Sequence, residues 1–189
     1  MKKAREYFDK NINIIDKLDY YEIESLRELV MTNIVFGNKI IVAGNGGSAL
    51  NAFHFAQDLL KHMKIKNGQI AKVFALGSNP GLQSAIENDL GHSESFVLEL
   101  STFASIGDLF IPISVSGTSK NLIKATEWAK ENGLYTVSIT GNENIENGLA
   151  SIVDEKIVIP SNEFSYVEDL SMSILHYIVY SIWRENEND

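Results

Sequence analysis

The stretch IIVAGNGGSALNAFHFAQDLLK, residues 40–61, passes from a strand pattern through a glycine-rich turn into a helix pattern. Consecutive apolar residues open it, as in a strand buried on both faces, and the glycines then allow the backbone to turn tightly. From residue 48 onward, apolar residues recur at helical spacing. Because free N–H groups at the start of a helix attract anions, the turn at residues 44–48 is a candidate anion-binding loop.

The same change of pattern recurs along the chain and decides the fold class. Short apolar runs predict five strands, at residues 40–44, 71–76, 108–115, 135–140 and 156–160. Helical spacing predicts helices between and after them, at residues 48–63, 79–87, 92–104, 119–132, 144–150 and 163–186. Strands that alternate with helices predict an α/β three-layer sandwich with a five-stranded, mostly parallel sheet. Two further helices are predicted within residues 3–36, so we expect one domain over residues 1–189, with a helical segment at 1–37 and an α/β core at 38–189.

Composition excludes several classes of function. The chain has 189 residues, 44% of them hydrophobic, and a formal net charge of −9, which gives no general attraction to nucleic acid or anionic membranes. It contains no cysteine, which excludes disulfides, thiolate metal sites and cysteine nucleophiles. The first residues lack the apolar stretch of a secretory signal, and the longest apolar run is too short to span a bilayer. We therefore expect a soluble cytoplasmic protein.

The turn at residues 44–48 has more than one interpretation. Gly44, Gly46 and Ala49 match a relaxed G-x-G-x-x-A dinucleotide fingerprint, but the next strand ends in Ser78 and Asn79, without the carboxylate that holds a ribose. The Walker pattern of a P-loop is absent. A strand-to-helix turn with no ligand remains an alternative.

A second loop, ISVSGTSKNLIKA at residues 113–125, carries four hydroxyl side chains before a helix. These are Ser114, Ser116, Thr118 and Ser119. Hydroxyl donors at a helix N-terminus suit a phosphate dianion, although a single serine there would indicate only an ordinary helix cap. In a flavodoxin-like strand order, both loops lie where the order of the strands reverses, which is where ligands bind in open α/β sheets. The sequence therefore favours a phosphate site.

Two histidine–carboxylate pairs lie on predicted helices. His54 and Asp58 are four residues apart and share a helix face. Glu168 and His176 are eight apart, about 12 Å along the helix axis. These groups are suited to binding zinc or to moving protons at neutral pH, although a weak surface ion pair and a buried core histidine are the structural alternatives. The separation of Glu168 from His176 is awkward for one metal site, unless a neighbouring subunit supplies a ligand.

The order of these motifs resembles the sugar isomerase (SIS) domain, and within it the phosphoheptose isomerase family. The motifs are GNGGS followed by His54, then "ND" at residues 88–89, then SVSGTSKN, and finally a late helix with His176. The resemblance implies a homotetramer with active sites built from adjacent subunits, and one zinc ion per site. It also implies the isomerisation of sedoheptulose 7-phosphate to D-glycero-D-manno-heptose 7-phosphate, which supplies heptose for lipopolysaccharide or capsule.

The resemblance also implies roles for individual residues. A first group would bind the sugar phosphate: Asn45, Gly46, Gly47, Ser48, Asp89, Ser114, Ser116, Thr118 and Ser119. A second group would hold the metal: His54, Asp58, Glu168 and His176. Asp58 would act as the catalytic base and His176 as its partner acid. This chain has Asp58 where the family usually has glutamate, Glu168 in place of glutamine, and Ser165 in place of aspartate.

Two other functions are compatible with the same fold. A SIS protein that has lost catalysis can bind a sugar phosphate or a protein partner, as do relatives that associate with the bacterial replication initiator. An isomerase for a different phosphosugar is the second alternative. The presence of His176 favours an isomerase over the binding protein.

Overall fold

A single parallel sheet forms the centre of the molecule in the computed structural model, which describes residues 2–67, 70–141 and 148–185. Its strand order is β2-β1-β3-β4-β5, and all four neighbouring pairs are parallel. The strands are β1 (Lys39–Gly44), β2 (Lys72–Ala75), β3 (Leu109–Ser114), β4 (Tyr135–Thr140) and β5 (Glu155–Val158). The predicted α/β class, five-stranded sheet and flavodoxin-like order are confirmed.

Eight helices are found among the described residues. They are α1 (Lys2–Ile15), α2 (Tyr20–Phe36), α3 (Gly47–Asn67), α4 (Pro80–Leu90), α5 (Ser95–Phe103), α6 (Lys120–Glu131), α7 (Leu149–Ile152) and α8 (Phe164–Glu185). The helix predicted at 92–104 divides into a 3-10 turn, His92–Glu94, and α5. Parts of two predicted helices, residues 144–147 and residue 186, lie outside the described residues.

The two faces of the sheet are covered by different helices. Side chains of α2, α3 and α8 pack with Ile40 and Val42 on one face, and α5, α6 and α7 pack with Ile41 and Ala43 on the other. Both faces of β1 are therefore buried, which explains why its sequence is continuously apolar rather than alternating. No helix in the described part of the chain is long and apolar enough to cross a membrane.

Helices α3 and α8 form the frame of the site. Both begin at the carboxyl edge of the sheet and run side by side in the same direction. Gly47, the first residue of α3, faces Glu168 in the first turns of α8. Two turns further along, His54 of α3 contacts His176 of α8. Two levels of this helix pair, about 10 Å apart along its axis, therefore carry different side chains.

Candidate active site

The turn between β1 and α3 closes tightly on itself. A Cβ atom at Gly44 would lie 2.5 Å from the carbonyl carbon of Ser48, so only glycine fits there. Gly46 has a φ of +54°, in the left-handed region that favours glycine. The turn brings the Ser48 side chain, which is 4% exposed, to the carboxyl edge of the sheet.

The second loop folds its hydroxyl groups around the start of α6. Ser114 Oγ lies 3.2 Å from Ser119 Oγ and accepts a hydrogen bond from the Gly117 amide at 3.1 Å. Thr118 donates to Ser116 from both its amide, at 3.2 Å, and its hydroxyl, at 3.1 Å. The Ser119 side chain does not cap α6, so it remains available to a ligand.

The two loops together enclose a pocket of about 190 Å³. Its polar lining consists of Asn45, Ser48, Ser114, Ser116, Ser119 and Glu168. Five of the predicted phosphate- and sugar-binding residues therefore meet here. Thr118 does not line the pocket itself, but it holds Ser116 in place.

An amide pair, with Asn121 buried and Asn45 partly exposed, fixes one wall of this pocket and was not anticipated from the sequence. Asn45 Nδ2 donates to Asn121 Oδ1 at 3.0 Å, and Asn121 Nδ2 donates to Asn45 Oδ1 at 2.9 Å. Asn121 also donates to Ser95 Oγ at 3.1 Å and is 0% exposed. An asparagine inside a helix is the only sequence signal of this role, because asparagine is a poor helix former.

Asn45 also faces a neighbouring cleft of about 210 Å³ at the ends of β1 and β2. Gly46, Gln83 and Glu87 contribute to its lining. Hydrogen bonds from the side chains of Gln83 and then His92 lower the pKa of Glu87. The cleft thus keeps a charged acceptor beside the first pocket, where hydroxyl groups of a sugar could be bound.

Three side chains converge two turns along the α3–α8 pair. His54 Nε2 lies 3.1 Å from Asp58 Oδ2 and 3.1 Å from His176 Nε2, and His176 Nε2 lies 3.7 Å from Asp58 Oδ2. Asp58 is 18% exposed at its side chain, whereas the two histidines are 45% and 52% exposed. The carboxylate of the cluster is therefore mostly buried, whereas its two imidazole rings are open to solvent.

The three donor atoms fit a zinc ion. Bonds of about 2.0–2.2 Å in tetrahedral geometry place neighbouring ligand atoms roughly 3.3–3.6 Å apart, close to the distances found here. Two imidazole nitrogens and one carboxylate oxygen are a ligand set that catalytic zinc sites use, with the fourth position left for water or substrate. His54, Asp58 and His176 are therefore a possible metal-binding group.

Two predicted site residues lie elsewhere in this chain. Glu168 does not belong to the metal-binding group, because its carboxylate packs on Gly47 about two turns from the histidines. Asp89 is exposed near the end of α4, where its Oδ1 accepts a hydrogen bond from Asn88. Within one chain, neither residue occupies the position implied by the family resemblance.

Comparison with known proteins identifies the family. The model of the SIS domain matches residues 6–141, well over half of the chain. The chain belongs to the SIS domain family. Its resemblance to phosphoheptose isomerases, first inferred from the motifs, is thereby confirmed by relatives that cover nearly its full length.

These SIS relatives share the fold as well as the sequence. The phosphoheptose isomerase of Shewanella frigidimarina is 32% identical, over 97% of this chain and 95% of the relative. That of Citrifermentans bemidjiense is 32% identical over 86% of this chain and 83% of the relative. The solved phosphoheptose isomerase of Neisseria gonorrhoeae superposes with a TM-score of 0.86 at 24% identity, over 96% of this chain and 97% of that one. This protein is therefore a phosphoheptose isomerase-like SIS protein.

Proposed function

We propose that this protein is an aldose–ketose isomerase that converts sedoheptulose 7-phosphate to D-glycero-D-manno-heptose 7-phosphate. The observation that carries the proposal is a hydroxyl-lined pocket at the start of helices α3 and α6 together with the His54–Asp58–His176 cluster further along α3 and α8. A seven-carbon sugar phosphate likewise carries its phosphate and its reactive carbonyl at opposite ends. The relatives named phosphoheptose isomerases support the same substrate.

The phosphate end of the substrate is assigned to the pocket between the two loops. Ser48, Ser114, Ser116 and Ser119 offer hydroxyl donors there, and the N-termini of α3 and α6 add partial positive charge. Asn45, held rigidly by Asn121, offers an amide to the sugar hydroxyls. Fixed donors of this kind orient the substrate without reorganising when it binds.

The reactive end of the substrate is assigned to the cluster. A bound zinc ion would supply Lewis-acid stabilisation of the enediolate. Asp58 removes the proton from the carbon next to the carbonyl, using the carboxylate oxygen that is not directed at the histidines. After the proton held by Asp58 has exchanged with solvent, Asp58 delivers it to the adjacent carbon. Nδ1 of His176, whose Nε2 would ligate the zinc ion, relays a second proton between the two substrate oxygens. No atom is gained or lost, as an isomerisation requires.

We also propose that the active site is completed by a second copy of the chain, in a homotetramer. The histidines of the cluster are about half exposed in one chain, and Glu168 and Asp89 lie away from it. Enediolate chemistry needs a site from which water is excluded. A neighbouring subunit placed over the imidazoles would supply that cover.

Turnover is the experiment that tests the proposed function. Purified protein with added zinc is incubated with sedoheptulose 7-phosphate, and formation of the aldose is followed by NMR. We expect turnover that falls at least about a hundredfold in His176→Ala. His62→Ala, which changes a histidine that packs on Trp183 outside the cluster, is the matched control and should retain turnover. Folded protein with no turnover of this substrate would contradict the proposal.

Metal binding is tested independently of activity. Isothermal titration of the metal-free protein with zinc should give one site per chain in the wild type. His54→Ala should weaken binding by at least about tenfold, because it leaves two of the three ligands. His62→Ala again serves as the control. Equal zinc affinity in wild type and His54→Ala would place the metal elsewhere.

A further inference from the structure

Glu168 lines the pocket that is assigned to phosphate, and its carboxylate lies on Gly47, at the boundary with a second cleft that both residues line. A Cβ atom at Gly47 would lie 2.5 Å from Glu168 Oε2, so the carboxylate rests directly on the backbone at the first residue of α3. The same side chain lines the pocket with Ser48, Ser114 and Ser119. Of the described residues that line this pocket, Glu168 alone is charged.

The position of this carboxylate is one that favours an anion. It lies at the N-terminus of α3, a helix of 21 residues, where the unpaired N–H groups carry partial positive charge. A phosphate that enters the pocket needs those same donors. The carboxylate and the phosphate therefore compete for one end of one helix, and their like charges repel each other at short range.

We propose that Glu168 is a specificity-determining residue, an internal anion that bound phosphate must displace and that discriminates against bare inorganic phosphate. The inference rests on the proposed function, because it assumes that the hydroxyl-lined pocket binds the phosphate of the substrate. A displaced Glu168 stays at the mouth of the pocket, where it can accept hydrogen bonds from sugar hydroxyls. Inorganic phosphate has no carbon chain to reach it, so only the sugar phosphate recovers part of the lost binding energy.

The side chain can move while its backbone stays in place. The carbonyl oxygen of Glu168 accepts a hydrogen bond from Asn51 Nδ2 at 2.8 Å, which ties α8 to α3 at this level. Glutamate has several rotatable bonds beyond its Cα, so the carboxylate can leave Gly47 by a change of rotamer alone. No rearrangement of the helices is needed for phosphate to enter.

The test compares two ligands and two charge-removing variants. Dissociation constants for inorganic phosphate and for sedoheptulose 7-phosphate are measured by titration calorimetry at fixed ionic strength. Glu168→Gln should tighten inorganic phosphate by at least about tenfold and the sugar phosphate by less than about threefold. Glu163→Gln is the matched control, because it removes the same charge from an exposed residue just before α8 that does not line the pocket. It should change both constants by less than about twofold.

Further variants keep the inference falsifiable. Glu168→Ala, which should tighten inorganic phosphate in the same way, replaces Glu168→Gln if that variant fails to fold. The inference is overturned if Glu168→Gln tightens phosphate no more than Glu163→Gln does, or tightens both ligands equally. Adding Ser119→Ala to Glu168→Gln should weaken phosphate again. If it does not, phosphate binds outside this pocket, and the phosphate assignment of the proposed function fails as well.

Discussion

At Asp58, one carboxylate oxygen contacts nitrogen atoms from two helices, 3.1 Å from His54 and 3.7 Å from His176. The family resemblance implies a glutamate at this position, whose side chain is one methylene longer. The shorter aspartate still reaches both imidazoles in this chain, because α3 and α8 pack closely enough to bring the histidines to it. Asp58 therefore reaches the two histidines without a longer side chain, and its role as base stays a proposal.

Glu99 is a buried carboxylic acid whose ionisation opposes folding. It is 7% exposed, and burial raises the pKa of its carboxyl, although the Gly77 amide donates to it at 2.8 Å and partly offsets this. The pKa of Glu99 is higher in the folded protein than in the unfolded one. The contribution of this carboxyl to the free energy of unfolding is therefore fully present at low pH and is lost as the pH rises through the folded pKa.

Glu99→Gln should therefore stabilise the protein near pH 7, and the gain should shrink as the pH falls toward 4. The amide oxygen can still accept from Gly77, while the charge is removed. The measurement is the midpoint of urea unfolding at several pH values for wild type, Glu99→Gln and the exposed control Glu131→Gln. A gain that is independent of pH, or a loss at every pH, would show that ionisation of Glu99 is not the cause.

The residues of the site differ in how far the sequence could predict them. His54 and Asp58 follow from a four-residue spacing, and the serines from one loop. The location of Glu168 depends on which residue of α3 faces it, and the Asn45–Asn121 pair joins residues 76 positions apart. Such contacts arise from the packing of whole elements, so no local pattern indicates them.

At the scale of elements, Asp108 connects the starts of β1 and β3. It is 2% exposed and accepts hydrogen bonds from the amides of Lys39 and Ser105, at 2.8 and 2.7 Å. The Lys39 ammonium lies 2.9 Å from it. One buried carboxylate thus fixes the amino-terminal ends of β1 and β3. The binding loops follow the carboxyl-terminal ends of the same two strands.

Asp108→Ala should lower the free energy of unfolding by about 3 kcal/mol, because it leaves a charge and two amides without their partner. Asp108→Asn, which keeps acceptor capacity, should cost less. Urea unfolding of both variants checks this. A loss below about 0.5 kcal/mol for Asp108→Ala, the range of ordinary surface substitutions, would contradict the role.

The elements themselves were predictable because their patterns are strong. β1 and β3 are buried on both faces and read as continuous apolar runs, and glycine or serine turns separate them from their helices. The boundaries were less accurate: α3 extends beyond the predicted 48–63 to Asn67, since helical spacing weakens in its polar last turns. The prediction of a helix at 92–104 was wrong in its first turn, where a 3-10 turn follows Gly91, which has a φ of +93°.

At the scale of the whole molecule, the N-terminal helices leave an apolar surface uncovered in the single chain. Phe8 and Ile12 of α1 are 61% and 55% exposed. A cleft of about 340 Å³ lies between the end of α1, the α1–α2 connection, α2 and α8, and it is lined mainly by apolar and tyrosine side chains with Glu24 and Ser173. Exposed apolar patches of this kind mark sites of protein association, which is consistent with the proposed homotetramer.

Ile12→Glu should therefore reduce the native mass of the assembly, because it places a charge in the surface that we expect a second copy to bury. Light scattering after size exclusion measures the mass. Ile106→Glu, which changes an exposed isoleucine far along the chain between α5 and β3, is the control and should leave the assembly intact. A wild type that is monomeric at micromolar concentration would contradict the tetramer.

The predictions of one domain over residues 1–189 and of a cytoplasmic location stay predictions.

The proton transfer assigned to Asp58 is the central claim, and NMR of the reaction in D2O tests it most directly. The wild type should convert sedoheptulose 7-phosphate to the aldose with deuterium from solvent at the carbon that receives the proton, while Asp58→Asn should lose both turnover and deuterium incorporation by about a hundredfold or more. Turnover and incorporation that are unchanged in a folded Asp58→Asn variant would show that another group moves the proton.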